Sequence, residues 1–399
     1  MFLFSNTAYR DTMLRSTGVI TTWVSKVGLK KRLVKKQSGN KRSLLTRGPR
    51  SKSRTGDLIA ALDLGSNNCR LLIARPEKNG FKVVDGFSKI VRLGEGISSS
   101  GALSNAAMER PMKALSTCGE LIVKNNVKYG RYVATEACRA ANNSKNFLSR
   151  VEKEIGIAVE TISSIEEAEL TVVGCRALFD NTCPYTLMFD VGGGSTEISW
   201  LRIKSKVKPE IIDSISLPYG VVNLTETYGK PEISSKQYEI LVETIKKSIE
   251  PFEIKHSIKE MIKAGKVSML GTAGTVTTIA AVQMGLKLYD RELIDGSWLD
   301  FSSIRNICRN LVNSNFEKRA SYPCIGKNRA ELVVAGCGIL EAICETWSIG
   351  CLRVADRGVR EGILARLSEL AIALESTSVD KSFRVSMAHL LVPKPKRQH

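Results

Sequence analysis

The chain has 399 residues, with 59 Lys and Arg against 40 Asp and Glu, and only three histidines. That length exceeds one ordinary domain and points to two. With His389 and His399 in the basic tail, the histidine stock excludes a catalytic Ser-His pair, a His-rich zinc site and an HD-type phosphohydrolase centre.

The net charge of +19 sits at the two ends. Residues 1–56 hold fourteen basic residues and one acid, and residues 376–399 hold five and one, so the body between them is close to neutral. The first stretch, with "KVGLKKRLVKKQSGNKRSLLTRGPRSKSR", has no sustained apolar period and predicts a solvated, disordered arm. Clustered Lys and Arg also attract a polyanion, and an Arg/Ser-rich, acid-poor composition is shared with transit peptides. "STGVITTWVSKVG" is too polar for a secretory core, and no run reaches the length that spans a bilayer. Ten cysteines without a CxxC pair read as buried thiols in a reducing compartment. A soluble, cytoplasmic chain with no membrane partner is the expectation.

After the arm, "LIAALDLGSNNCRLLIARPEKNGFKVVDGFSKIVRLG" reads as strand, an Asp63-x-Gly65 turn, strand, a second turn and a third strand. "SNAAMERPMKALSTCGELIVKN" follows as a helix capped by Ser104, with Pro111 as a blemish. "YVATEACRAANN" predicts a strand ending near Ala134 and then a helix start. "IAVETISSIEEAELTVVGCRALF" predicts strand, loop and a helix with Glu166 and Glu167 in its first turn. The opening unit then recurs: "TLMFDVGGGSTEISWLRIKSKVKPEIIDSISLPYG" has the same strand, Asp-x-Gly turn, strand, turn and strand. Such a repeat implies two similar domains facing each other. "SSKQYEILVETIKKSIEPF" predicts a helix, "VSMLGTAGTVTTIAAV" a strand with a Gly-rich turn into a helix, "RAELVVAGCGILEAICETW" a buried helix, and "GVREGILARLSELAIAL" the last helix of the body.

Glycine after each acid lets the backbone approach a ligand closely. These turns lead into alternating strands rather than helices and carry no Gly-Lys-Ser/Thr, so they are neither Rossmann nor P-loop elements. Asp63 and Asp190 also suit plain turns, whose amides aspartate satisfies. Glu166 and Glu167 equally suit a first helical turn, where acids are favourable. Arg139 reads as a surface helix residue, and "GTAGT" as a helix N-cap.

Seven segments, "DLGSNNCRLLIA", "ATEACR", "SSIEEAEL", "FDVGGGSTEIS", "LPYGVVNLTE", "LGTAGTVTTIAA" and "VADRGVREGIL", stand in one order. In that order the body, from residue 58 to about 370, resembles the exopolyphosphatase and guanosine pentaphosphate phosphohydrolase (Ppx/GppA) family, in its short two-domain form. The resemblance implies an α/β fold of two ribonuclease H-like (actin-like ATPase) domains, with mixed sheets flanked by helices and a cleft between them. Domain I is expected over 57–178 plus 354–375, domain II over 179–353, with a basic tail from 376.

What the resemblance implies chemically is a hydrolase of phosphoric anhydrides working with Mg2+. Glu167 is expected as general base, and Asp63, Asp190 and Glu197 as hard oxygen ligands of the metal. Phosphate oxygens are expected on Gly65, Ser66, Asn67, Gly192, Gly193, Gly194 and Ser195, on the guanidinium groups of Arg70 and Arg139, and on Gly271, Thr272, Gly274 and Thr275. Asn68, Ser164 and Glu169 depart from the family pattern without touching this set. The substrate is expected to be polyphosphate, with guanosine pentaphosphate second; a sugar-kinase-like phosphotransferase and a non-catalytic polyanion binder using the basic arm are the rivals. The resemblance also allows a homodimer.

Overall fold

The computed structural model describes residues 57–204, 209–229 and 232–375. The expectations of a disordered arm, its polyanion contact and a basic tail lie outside the described residues. The first sheet is built from β1 (Ile59–Leu64), β2 (Asn68–Glu77), β3 (Gly80–Ile90), β4 (Tyr129–Ala134) and the two-residue β5 (Glu160–Thr161), in the order β3-β2-β1-β4-β5. β1 is antiparallel to β2 and parallel to β4, and it is buried almost throughout, as expected for a central strand reading IAALDL.

The second sheet comprises β6 (Tyr185–Val191), β7 (Thr196–Arg202), β8 (Glu210–Leu217), β9 (Val267–Thr272), β10 (Trp298–Asp300) and β11 (Cys351–Ala355), in the order β10-β11-β9-β6-β7-β8. β6 is antiparallel to β7 and parallel to β9, and β9 is parallel to β11. β6, β7, β8, β9 and β11 therefore repeat β1, β2, β3, β4 and β5. The repeat extends to register: Asp63 lies opposite Arg70, and Asp190 opposite Glu197. Both sheets are mixed and flanked by helices, as the sequence motifs imply.

Helix ends follow local chemistry. Ser104 Oγ accepts from the Ala107 amide at the start of the Asn105–Lys124 helix, which contains Pro111. Ser163 caps the Ser164–Cys175 helix through the Glu166 amide. The Val333–Thr346 helix is apolar on nearly every face and is correspondingly buried in the core of the second sheet. All ten cysteines are free thiols, eight of them buried. Among the described residues, no helix is long and apolar enough to cross a membrane.

The last helix, Val359–Glu375, leaves β11 of the second sheet and packs across β1 and β2 of the first, against the Ser164–Cys175 helix. Two glycines allow that contact. A Cβ at Gly362 would strike the Leu170 carbonyl, and one at Gly174 would strike the carbonyl of Gly358. Gly362→Ala is accordingly expected to destabilise the fold by about 1–3 kcal/mol or more. Gly358→Ala, where a Cβ meets nothing within 4 Å, is the control. Thermal unfolding of both variants checks this: equal midpoints would mean the helix crossing tolerates a methyl group.

Candidate active site

A cavity of about 140 Å3 opens where β1, β6, β9 and β11 end, between the two sheets. Its walls are the Gly65–Asn68 turn after β1, the Gly192–Ser195 turn after β6, the Thr272–Thr275 segment after β9 and the Asp356–Glu361 segment after β11. The two hairpin turns are closed by the same bond, Gly65 N to Asn68 O and Gly192 N to Ser195 O, each 2.9 Å. They also touch each other. A Cβ on Gly193 would lie 3.0 Å from Asn67 N, and one on Gly194 would lie 2.8 Å from Ser66 Oγ. A Cβ at Gly193 would press on the Asn67 backbone, while one at Gly194 would displace the Ser66 hydroxyl.

The carbonyls of the glycine turn are already occupied. Gly192 and Gly193 accept from the Val221 and Val222 amides, and Gly194 accepts from Asn223 Nδ2. The Gly193 and Gly194 amides have no hydrogen-bond partner among the described residues. Backbone N–H groups left over at a tight turn are a ready anion cradle.

Glu167, in the first turn of its helix, lines the cavity. Its Oε2 accepts from Arg139 Nη1 at 2.7 Å, while Oε1 has no partner among the described residues. Burial pushes its carboxyl well above the usual range, and Glu197 and Asp190 add to the rise against the opposing Arg139. Glu166 turns away and pairs with Arg131 at 2.6 Å. Asp63 and Asp190 line the cavity, half-buried at the ends of β1 and β6. Burial pushes Asp190 up to about 7, with Glu197 and Asp63 adding to the rise, and raises Asp63 despite Arg70 and Arg360. The pocket is therefore a desolvated cluster of carboxylates with less cationic charge than it can use.

Three of the expected site residues stand back from the cavity wall. Glu197, expected as a metal ligand, is 5% exposed, and its Oε1 accepts from Ser195 Oγ at 2.6 Å and Ser216 Oγ at 2.9 Å. It holds Ser195 from behind. Arg139 forks between Glu136 and Glu167, bonding them through Nε and Nη1, while its buried Nη2, 2.8 Å from Glu136 Oε2, makes no aligned hydrogen bond among the described residues. Gly271 faces the Phe189 ring, 2.6 Å from where its Cβ would be, and is a packing glycine. Among the described residues, no group of three His, Cys, Asp or Glu is close enough to form a metal cage by itself. Gly65, Ser66, Asn67, Arg70, Gly192–Ser195, Thr272, Gly274 and Thr275 all line the cavity.

Sequence reasoning passed over Glu136, Arg329, Arg360 and Glu361, which also line it. Arg329 donates to Thr278 Oγ1 at 3.1 Å and lies over the Tyr289 ring at 5.9 Å. Arg360 is buried beside Glu361 at 3.8 Å, and Glu361 also binds Arg291 at 2.7 Å. Burial alone would raise the Glu361 carboxyl, but Arg360 and Arg291 outweigh it and hold the group below its usual range. "VADRGVREGIL" carried the signal for this pair, as charged residues directly after a strand in the position of the other turns.

A profile of the Ppx/GppA phosphatase family matches residues 72–370. The chain is 31% identical over 299 residues to the bifunctional 3-dehydroquinate synthase/phosphatase of Fusobacterium nucleatum, a stretch covering 72% of this chain and 43% of that protein. It therefore spans less than half of that relative. It is 27% identical over 325 residues to exopolyphosphatase 2 of Mycobacterium tuberculosis, covering 78% of this chain and 98% of that one. The crystal structure of the Aquifex aeolicus Ppx/GppA family member is similar with a TM-score of 0.64 at 28% identity, over 81% of this chain and 99% of that one. An exopolyphosphatase-like protein of known structure reaches 0.72 at 25% identity, over 80% and 100%. The chain belongs to the Ppx/GppA phosphatase family and is, with it, a hydrolase of phosphoric anhydrides with the actin-like fold.

The raised carboxyl of Asp190 gives a stability test. Its folded form favours the proton, so stability is fully present below the unfolded value of about 3.9 and is lost as pH rises through about 7. With divalent cations chelated, Asp190→Asn is expected to gain thermal stability over wild type from pH 5 to pH 8. An unchanging difference in unfolding midpoint across that range would place Asp190 outside the unneutralised cluster.

Proposed function

From that membership and from the state of Glu167, we propose that the chain is an exopolyphosphatase that releases orthophosphate from the end of inorganic polyphosphate. The observation that carries the reading is a part-buried glutamate with one oxygen fixed by Arg139 and the other unpartnered among the described residues, in a cavity lined by two glycine turns. The name and near-complete coverage of the Mycobacterium relative support the substrate.

The terminal phosphate would sit on the free amides of the Gly192–Ser195 turn, with Ser66 and Asn67 facing it and Arg70 balancing its charge. Glu167 Oε1 would accept the proton of a water whose oxygen attacks the terminal phosphorus. The bond between that phosphorus and the bridging oxygen breaks, and the shortened chain leaves with the bridging oxygen. Arg139, held by Glu136 as well, orients Glu167 and favours its ionised form against the pull of burial.

The residues fit Mg2+. Asp63 and Asp190 are hard oxygen donors left under-neutralised, and Asn67 Oδ1 is a buried acceptor without a partner. Mg2+ is characteristically bound by one or two carboxylates together with substrate phosphates rather than by an all-protein cage, so the lack of a three-acid cluster does not count against it. When bound, the ion would offset charge on the phosphate oxygens.

Guanosine pentaphosphate is the second reading, since the cavity engages only a terminal phosphate. Tyr289, 41% exposed and within 5.9 Å of the Arg329 guanidinium that lines the cavity, offers a ring on which a base could stack.

Phosphate release in Mg2+ from both substrates tests the proposal. Glu167→Gln is expected to lower turnover by roughly 10²–10⁴, and full activity in that variant would remove Glu167 from the reaction. Turnover of guanosine pentaphosphate about 100-fold better than polyphosphate would exchange the two readings. Chelation should silence hydrolysis, and restored Mg2+ should return it. Because the Glu167 carboxyl is raised, the acid limb of kcat/KM should lie above that of an ordinary glutamate. Arg139→Gln, which removes the group opposing that rise, should move the limb further up.

A further inference from the structure

The loop after β3 makes two sets of contacts that the reaction does not account for. On its inner side, the Val91 and Arg92 amides both donate to Asn67 O, at 2.8 and 3.0 Å, and the Gly94 amide donates to Ser66 O at 2.8 Å. These are the carbonyls of the phosphate turn. Gly94 is required there, since a Cβ would lie 2.9 Å from Ser66 Cβ. On its outer side, the loop reaches the other half of the molecule. Arg92 Nη2 pairs with Glu331 Oε2 at 3.1 Å, and the Gly96 amide donates to Glu226 Oε1 at 3.0 Å.

Both anchors are stiff. Arg110 donates to the carbonyls of Val91 and Arg92 and to Glu95. Arg92 is held at φ 49°, a left-handed conformation that persists in a non-glycine residue only where its surroundings over-determine it. On the opposite side, the buried guanidinium of Arg319 donates to the Ala330 carbonyl at 2.9 Å and to Ser314 O, fixing the backbone next to Glu331. The gap lined by Arg92, Glu226, Glu331 and Leu332 measures about 10 Å3, room for no more than one water. A rigid loop tied to the second half on one face and to the phosphate turn on the other transmits any change in the separation of the halves to that turn.

We propose that the Arg92–Glu331 pair is a positioning device: acting through the Val91–Gly94 backbone, it sets the Ser66–Asn67 turn for phosphate only when the two halves stand together. This rests on the reading of that turn as a phosphate site. Neither residue lines the main cavity, so both act through the turn rather than on substrate.

The test compares wild type, Glu331→Gln, and the exchanged pair Arg92→Glu with Glu331→Arg, by amide hydrogen exchange without substrate and by steady-state kinetics on polyphosphate. Glu331→Gln is expected to speed exchange in peptides covering both 88–97 and 63–70. It should also raise KM roughly three- to tenfold with a smaller change in kcat, the scale for a part-buried ion pair. The exchanged pair should recover most of both effects. Faster exchange confined to 88–97, or none at all, overturns the device, as does a failure of the exchanged pair to recover either effect. Exchange is read without turnover, so a wild type that does not hydrolyse polyphosphate would overturn the proposed reaction and leave the exchange result to judge the device.

Discussion

The site depends on one close approach of backbone to backbone. The Gly192–Gly194 turn lies directly on Ser66 and Asn67 of the other half, and a Cβ at Gly220 would in turn collide with Gly193. Bare backbone at these points allows a contact that any side chain would prevent. The same contact leaves Asp63, Asp190 and Glu167 part-buried around one cavity, where poorly screened charge interacts strongly. Their raised carboxyls are the electrostatic consequence, and they describe a site whose charge balance is completed by what binds there.

Duplication built the two turns, but the two copies are not used alike. The positions opposite Asp63 and Asp190 are structurally equivalent, and they hold Arg70 and Glu197. The first offers a cation to the cavity. The second is enclosed, and its carboxylate orders Ser195 and Ser216. The helix carrying Glu167 packs between the two halves, with Leu170 in the core of the first sheet and Val172 and Cys175 against Met188, Leu201 and Leu270 of the second, and it is locked by the glycine crossing with the final helix. That final helix brings Arg360 and Glu361 with it, so the segment that closes the fold also contributes charge to the cavity. Positive and negative groups thus arrive from both halves, and the balance depends on how the halves meet.

Much of this was legible along the chain because it is local. Asp followed within two residues by glycine, between apolar runs, is a strand ending in a turn, and its recurrence required two related sheets. Ser104 was readable as a helix cap because capping reaches only three residues ahead. Glu167 was singled out by the resemblance, while its place just inside a helix start would suit a plain first-turn acid equally well. That Glu197 stands behind the cavity wall was not legible, because the two hydroxyls it accepts from lie two and nineteen residues away. Nor was the packing of Gly271, since the Phe189 ring beside it is on a neighbouring strand.

The sequence by itself determined the strands, the caps, the repeat, the family and the identity of the acids, all of which follow from chemistry within a few residues or from a pattern occurring twice. Only the tertiary structure decided which acids reach the cavity, that Arg139 grips Glu167, that Arg329, Arg360 and Glu361 join the walls, and that the Val91–Gly96 loop ties one half to the other. Those facts are set by side chains that meet across large separations in the chain. Burial and charge balance are properties of that meeting, and no stretch of sequence carries them alone.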